Sequence, residues 1–241
     1  MDKQQYITTL PATFKQNGLG DLLTNESAEK LYFFSNLLVE TNKITNLTAI
    51  TDEEGIILKH FIDCASISRY IPAGARIIDV GCGAGFPSLP LAIIRPDISV
   101  TSLDSTGKKI DFVNKVAAEL NLSNLTAICA RAEDFAAEHR EAFDICTSRA
   151  VARLNILAEL CLPLVKIGGT FIAMKSNKGA EEYAEAANGI KRLGAQLDFS
   201  KEESFSLGDN TIIRETYALK KINHTPKEFP RKYSQILKKP L

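Results

Sequence analysis

One stretch constrains the fold more than any other: Ile77-Ile78-Asp79-Val80-Gly81-Cys82-Gly83-Ala84-Gly85-Phe86-Pro87. Residues 77–80 are apolar and β-branched apart from one acid, the pattern of a short buried strand. Gly81, Gly83 and Gly85 then alternate, and Leu89, Leu91, Ile93 and Ile94 begin a helix. Pro87 and Pro90 fall in its first turn, where a missing N–H costs little because it has no intrahelical partner. Strand, glycine loop and helix form the first unit of a doubly wound α/β sheet. Ligands of such sheets bind outside the carboxyl ends of the strands, where this loop lies.

The rest of the chain extends that pattern. Strands are expected at 76–80, 98–103, 125–129, 143–147 and 170–175, and helices at 88–94, 107–120, 132–139, 154–164 and 179–193. The short apolar strands predict a parallel sheet covered on both faces. Near the end, 196–207 and 211–220 flank Gly208-Asp209-Asn210 and read as a β-hairpin. A mainly parallel sheet closed by an antiparallel hairpin is the Rossmann-like arrangement of methyltransferases, with seven strands in all. Residues 1–72 carry helix signals only. Asn25 or Ser27 is the expected cap of a helix with Leu31, Phe34, Leu38 and Val39 on one face. Residues 42–48 are turn-prone. Asp52 opens a second helical stretch that turns Ile57, Phe61, Cys64, Ala65 and Ile67 inward. The organisation expected is a helical cap at 1–72, a cofactor-binding core at 73–221 and a basic tail at 222–241.

Composition narrows the function. The 241 residues allow one large α/β domain with an appendage. No apolar run reaches the roughly eighteen residues needed to span a membrane, and Met1-Asp2-Lys3-Gln4-Gln5 is unlike a signal peptide. A cytoplasmic protein with no membrane partner is expected. The five cysteines form no C-x-x-C pair and do not cluster in sequence with the three histidines, so no metal is expected. Net charge is zero but uneven. From Lys220 onward the chain carries seven of its 29 basic residues and one of its 29 acidic ones. The tail is either a solvated terminus or a contact for a polyanion.

Four motifs carry chemistry. A dinucleotide loop would read G-x-G-x-x-G. Here the third glycine comes one residue early, and Phe86 stands in its place. D-x-G-x-G-x-G, with Asp79 leading Gly81, Gly83 and Gly85, is the usual form in enzymes that use S-adenosylmethionine (SAM). An acid before the loop suits the cofactor's ammonium group. Asp104 ends the next strand, where a carboxylate accepts from ribose hydroxyls; it is also good helix-cap chemistry. Arg131-Ala132-Glu133-Asp134 follows the third strand, beside the expected adenine, with Ala132 and Glu133 as its contacts. The alternative role of Glu133 and Asp134 is electrostatic support of the helix N-terminus. Ser148-Arg149-Ala150 ends the fourth strand and faces the transferable methyl group. Arg149 there is a catalytic or bracing residue, or else one half of a structural ion pair. His60 and Asp63, three apart on a helix, share a face as an acid–base pair or a structural polar pair.

Together these residues resemble the bacterial RsmG (GidB) family. The likeness includes Asn46-Leu47-Thr48, His60-x-x-Asp63, the loop from Asp79 to Pro90 and Leu103-Asp104-Ser105 with Lys108-Lys109. It continues through Ser148-Arg149-Ala150 and ends in Phe229-Pro230-Arg231-Lys232 and Lys238-Lys239-Pro240-Leu241. The resemblance implies a SAM-dependent methyltransferase that acts on N7 of one guanosine in 16S ribosomal RNA (guanosine 527 in that family). Its substrate would be the RNA, the small ribosomal subunit or an assembly intermediate. Cofactor contacts carry over to Gly81, Phe86, Ala132, Glu133 and Arg149, with Asp104 at the ribose. The tail departs from the family at Tyr233 to Ile236, where an Ala-Gly-Thr-Pro-like run is common. A monomer is expected, with Lys108, Lys109, Arg149, Lys175 and the tail forming an RNA-facing basic edge. The alternatives are a methyltransferase of another substrate class and a nicotinamide-dependent oxidoreductase on a related fold.

Overall fold

The computed structural model describes residues 3–176 and 178–241. The N-terminal part is helical, as expected. Helix α1 (Lys3–Gln16) buries Tyr6, Leu10 and Phe14. Helix α2 (Asn25–Thr45) is capped by Thr24, one residue before the first expected cap. Ser27 N–H donates to Thr24 Oγ1 at 3.1 Å and Thr24 N–H to Ser27 Oγ at 2.8 Å, so two hydroxyls satisfy two otherwise unpaired donors. Leu31, Phe34 and Leu38 are buried and Val39 is half-buried. Asn42 belongs to α2 rather than to the turn after it, and its Oδ1 accepts from the N–H groups of Leu47 and Thr48. Asp52 caps α3 (Glu53–Ile56) through Gly55 N–H at 2.6 Å. The chain then widens into a π-helical turn from Ile57 to Ile62 before α4 (Asp63–Ser66). Such turns cost some hydrogen-bond quality and recur at functional sites.

Strands and helices alternate from there: β1 (Arg76–Val80), α5 (Ser88–Ile94), β2 (Ser99–Asp104), α6 (Gly107–Glu119), β3 (Leu125–Cys129), α7 (Ala132–Glu138), β4 (Phe143–Arg149), α8 (Leu154–Cys161), β5 (Val165–Lys175), α9 (Gly179–Arg192), β6 (Ala195–Leu207) and β7 (Asn210–Lys221). A short helix, α10 (Tyr233–Lys238), follows. The sheet order is β3-β2-β1-β4-β5-β7-β6. The first five strands run parallel, and β7 lies antiparallel between β5 and β6. This is the Rossmann-like methyltransferase fold. Two boundaries differ from expectation by three residues or more. Strand β5 begins at Val165, because Gly168 and Gly169 mask its start while accompanying a register shift against β4. Helix α8 ends at Cys161, and Pro163 sits in a 3₁₀ turn after it.

Helices cover both faces. One apolar layer joins the sheet to α1, α2, α5 and α6, and Phe34 links it to the rings of Phe61, Phe86 and Phe112. The other joins the sheet to α7, α8, α9 and the C-terminal segment. That segment is packed, not frayed: Phe229 and Ile236 are buried in it. Among the described residues no helix is long and apolar enough to cross a membrane. Strand order reverses between β1 and β4, so the loops after them diverge and open a crevice at their carboxyl ends.

Candidate active site

Two cavities, about 230 Å³ and about 350 Å³, open in that crevice and share Gly81, Asp104, Lys109 and Val151. They make one groove of the size that holds a nucleoside with an extended substituent. The glycine loop forms its floor. Gly81 and Cys82 N–H both donate to Leu103 O, and Gly83 N–H donates to Asp104 Oδ2 at 3.0 Å. Gly83 has φ +58°, and a Cβ built on it would stand in open space, with no atom within 4 Å. The loop thus leaves backbone bare on its groove side, which is what a closely approaching ligand requires.

Asp79 is placed otherwise than the sequence suggested. It is fully buried and lines neither cavity. Its Oδ2 accepts from Ser88 N–H at 3.1 Å, and Thr147 Oγ1 donates to its Oδ1 at 3.4 Å. Burial pushes its carboxyl up to about 7, with the Ser88 contacts pulling the other way. Asp79 therefore ties the loop's exit to β4 from behind. Its carboxylate is engaged by Ser88 and Thr147 rather than exposed to either cavity. Asp104 does line the groove. It holds Gly83 and accepts from Thr106 N–H at 2.9 Å, and Thr106, not Asp104, stands at the α6 cap. Each carboxylate oxygen retains a further acceptor site.

At the other end of the groove His60, Phe86 and Arg149 converge. The His60 ring stacks on Phe86, centroids 4.1 Å apart, and the Arg149 guanidinium lies 5.2 Å from the same ring. Arg149 Nη1 donates to Lys59 O at 2.8 Å and to Asp63 Oδ2 at 2.9 Å, and Nη2 lies 3.0 Å from His60 Nδ1. Nδ1 also lies 3.1 Å from Lys59 O, and Nε2 lies 3.1 Å from Thr48 Oγ1, so the ring is held by contacts on both nitrogens. Burial, then the Arg149 charge, depresses His60 to about 3. Both ring nitrogens of His60 are thus engaged by neighbours, and its charged form is disfavoured. Asp63 is 1% exposed and also pairs with Arg214 Nε at 3.2 Å. The structural ion pair and the groove position are thus both true of Arg149. Ala150 follows with φ +55°, a strained conformation for a residue with a Cβ, where the chain turns over the groove.

Ala132 and Glu133 line the opposite end, at the start of α7. They have a neighbour the motifs did not include. Tyr233, from the C-terminal segment, lines the same cavity, and its N–H donates to Glu133 Oε1 at 3.3 Å. One aromatic residue among basic neighbours at Arg231-Lys232-Tyr233 was the only sequence sign of it. Lys175 departs from the expected basic edge: its side chain is 9% exposed, donates to Ala152 O and pairs with Glu182 at 2.7 Å. Arg149, 15% exposed and committed to Asp63, leaves that edge as well. Lys108 is exposed, and Lys109 reaches back to within 3.9 Å of Asp104.

The comparisons agree with this geometry. A family model described as rRNA small subunit methyltransferase G (GidB) matches residues 27–206. The chain is 46% identical over 224 residues to the ribosomal RNA small subunit methyltransferase G of Staphylococcus carnosus, covering 91% of this chain and 92% of that protein. It is 44% identical over 236 residues to the protein of the same name in Lysinibacillus sphaericus, covering 96% of each. Among solved structures, M. jannaschii TYW2 in complex with AdoMet superposes with TM-score 0.55 at 14% identity over 72% of this chain and 80% of that one. The precorrin-6y C5,15-methyltransferase of Geobacter metallireducens gives 0.52 at 11% identity over 66% and 87%. These structures share the fold, while the sequence relatives share nearly the whole chain. The chain belongs to the rRNA small subunit methyltransferase G (GidB) family.

Proposed function

We propose that this protein is a SAM-dependent methyltransferase that methylates N7 of one guanosine in 16S ribosomal RNA, within the small subunit or an assembly intermediate. The observation that carries the reading is the groove itself. It has bare loop backbone at Gly83, a carboxylate at Asp104 and a guanidinium at Arg149, in that order along strands β1, β2 and β4. Those residues fit the cofactor's parts. Asp104 suits the ribose hydroxyls, Ala132 and Glu133 suit the adenine edge, and the N–H groups that Arg149 has left over suit the amino-acid carboxylate. Gly81, Gly85 and Phe86 shape the loop between them, and Asp79 fixes its exit from behind.

Bound there, the cofactor supplies an electrophilic methyl group on a sulfonium with a neutral leaving group. Guanine N7 has a free lone pair and no proton to lose, so the chain needs no general base. His60, with both nitrogens occupied, supplies none. What the residues contribute is alignment. Asp63 locks the Arg149 guanidinium, Phe86 and His60 pack against it, and Ala150 turns the chain so that Val151 lies over Gly81. A target base would enter beside Ala150 and Arg149, through a neighbouring cavity that those residues line together with Lys175 and Arg214.

The test is transfer of labelled methyl from SAM to small-subunit RNA from cells lacking the enzyme. Label in one N7-methylguanosine supports the reading. Label in protein or small molecules alone, or binding of NADH in place of SAM by calorimetry, contradicts it.

A further inference from the structure

The C-terminal segment follows the hairpin, outside the residues 27–206 matched by the family model. The segment and the last residue of β7 that leads into it are clamped to the core by buried or half-buried charged side chains. Lys221, fully buried, donates through Nζ to Leu162 O at 2.7 Å and Val165 O at 3.2 Å. Arg140 donates to Thr225 O at 2.7 Å and to Phe229 O at 2.5 Å. Arg231 grips Glu159, a fully buried carboxylate on α8, through Nε at 2.8 Å and Nη2 at 2.6 Å. These clamps deliver Tyr233 to the groove wall, with the Arg131 guanidinium 5.9 Å from its ring centroid.

We infer that Tyr233 is a cofactor-contacting residue and that docking of the C-terminal segment is thermodynamically linked to cofactor binding. The inference rests on the proposed reading of the groove as a SAM site. Two features carry it. Tyr233 presents an aromatic surface at the end of the groove where Ala132 and Glu133 await a purine, and aromatic surfaces hold bases by stacking without regard to sequence. Glu133 also serves both parties: its Oε1 takes the first N–H of α10 while the residue itself lines the cavity. A ligand that orders Glu133 therefore steadies the segment, and a docked segment readies Glu133. Such coupling is reciprocal by necessity. The outward side of the same segment carries Lys238 and Lys239 beside Gln235, exposed to solvent, so RNA phosphates that settle there bear on the same equilibrium.

The experiment titrates S-adenosylhomocysteine into the full-length wild type, Tyr233→Ala and Tyr233→Phe by calorimetry. In parallel, it follows amide hydrogen exchange of residues 229–241 with and without that ligand. The inference predicts binding at least tenfold weaker for Tyr233→Ala and within threefold of wild type for Tyr233→Phe, which keeps the ring. It also predicts slower exchange of the segment when ligand is added to wild type, a change that Tyr233→Ala largely loses. Tyr233→Phe refolds the same packing and so controls for misfolding. Equal affinity in wild type and Tyr233→Ala, or exchange indifferent to ligand, would overturn the inference and leave the reading of the groove intact. A wild type that bound no ligand would overturn both.

Discussion

Arg149 donates from Nη1 to Asp63 Oδ2 at 2.9 Å, joining the end of β4 to the helical part that precedes the sheet. Asp63 is buried and Arg149 only 15% exposed, so water competes little for the pair. Removing one member of such a pair costs about 3–5 kcal/mol, because the other is left buried and uncompensated. Asp63→Ala should therefore lower unfolding free energy in urea by about 3 kcal/mol, and Asp63→Asn, which keeps an acceptor, by clearly less. Loss of methyl transfer should accompany both. Unchanged midpoints would mean the pair is ornamental.

His60 and Asp79 predict opposite pH dependences. His60 is depressed to about 3 by burial and the Arg149 charge, so at pH 5 the unfolded chain holds its proton and the folded one does not. Its contribution to stability is present above pH 6.5 and is lost as pH falls toward 3. Asp79 is raised to about 7 by burial, so at pH 5 the folded chain holds the proton. Its contribution is present below pH 4 and is lost as pH rises through 7. Between pH 4 and 6.5 the two slopes, each approaching about 1.4 kcal/mol per pH unit, largely cancel. Asp79→Asn should expose a stability that rises with pH across that window, and His60→Gln one that falls. Urea midpoints at half-unit intervals check both signs. Identical slopes in the two variants would refute the assignment.

Neighbouring loop glycines should fail differently. A Cβ at Gly83 meets no atom within 4 Å, whereas one at Gly85 comes within 2.3 Å of Leu89 Cδ1. Gly83→Ala should cost only about 1 kcal/mol of stability, from its positive φ, yet weaken S-adenosylhomocysteine binding at least tenfold. Gly85→Ala should lose more stability. Calorimetry paired with thermal melts separates the two, and a Gly83→Ala protein with wild-type affinity would show that the ligand does not approach that backbone.

The exposed basic residues and the buried ones should also separate. Lys108 faces solvent at the start of α6. If it meets an RNA phosphate, Lys108→Ala should reduce the slope of log affinity against log salt by about 1 and leave cofactor affinity alone. Lys175, committed to Glu182, should instead lower stability when replaced. A Lys108→Ala protein with an unaltered salt slope would remove that residue from the RNA-facing edge.

Much of this was legible in the residues, for local reasons. Three alternating glycines after an apolar strand admit few backbone paths, and the apolar periods placed β1, β3 and α5 at their observed ends. The cap of α2 was read one residue late because Thr24 and Ser27 share the work of one capping box. Sequence spacing did not reveal the depth of Asp79: its strand is covered on both faces, and its carboxylate meets the N–H of Ser88 at the start of α5 and the hydroxyl of Thr147 on β4. Lys175 was read as exposed because Glu182, its partner, lies on the next helix. Tyr233 was out of reach for the same reason: the clamps from Arg140, Lys221 and Glu159 that carry it to the groove are contacts between distant residues.

The central claim, transfer to guanine N7 in 16S ribosomal RNA, is met most directly by mass mapping of small-subunit RNA from cells with and without this protein. The account predicts that one N7-methylguanosine is absent without it and restored by the wild-type chain, but not by Gly83→Ala. Retention of every N7-methylguanosine in cells lacking the protein would contradict it.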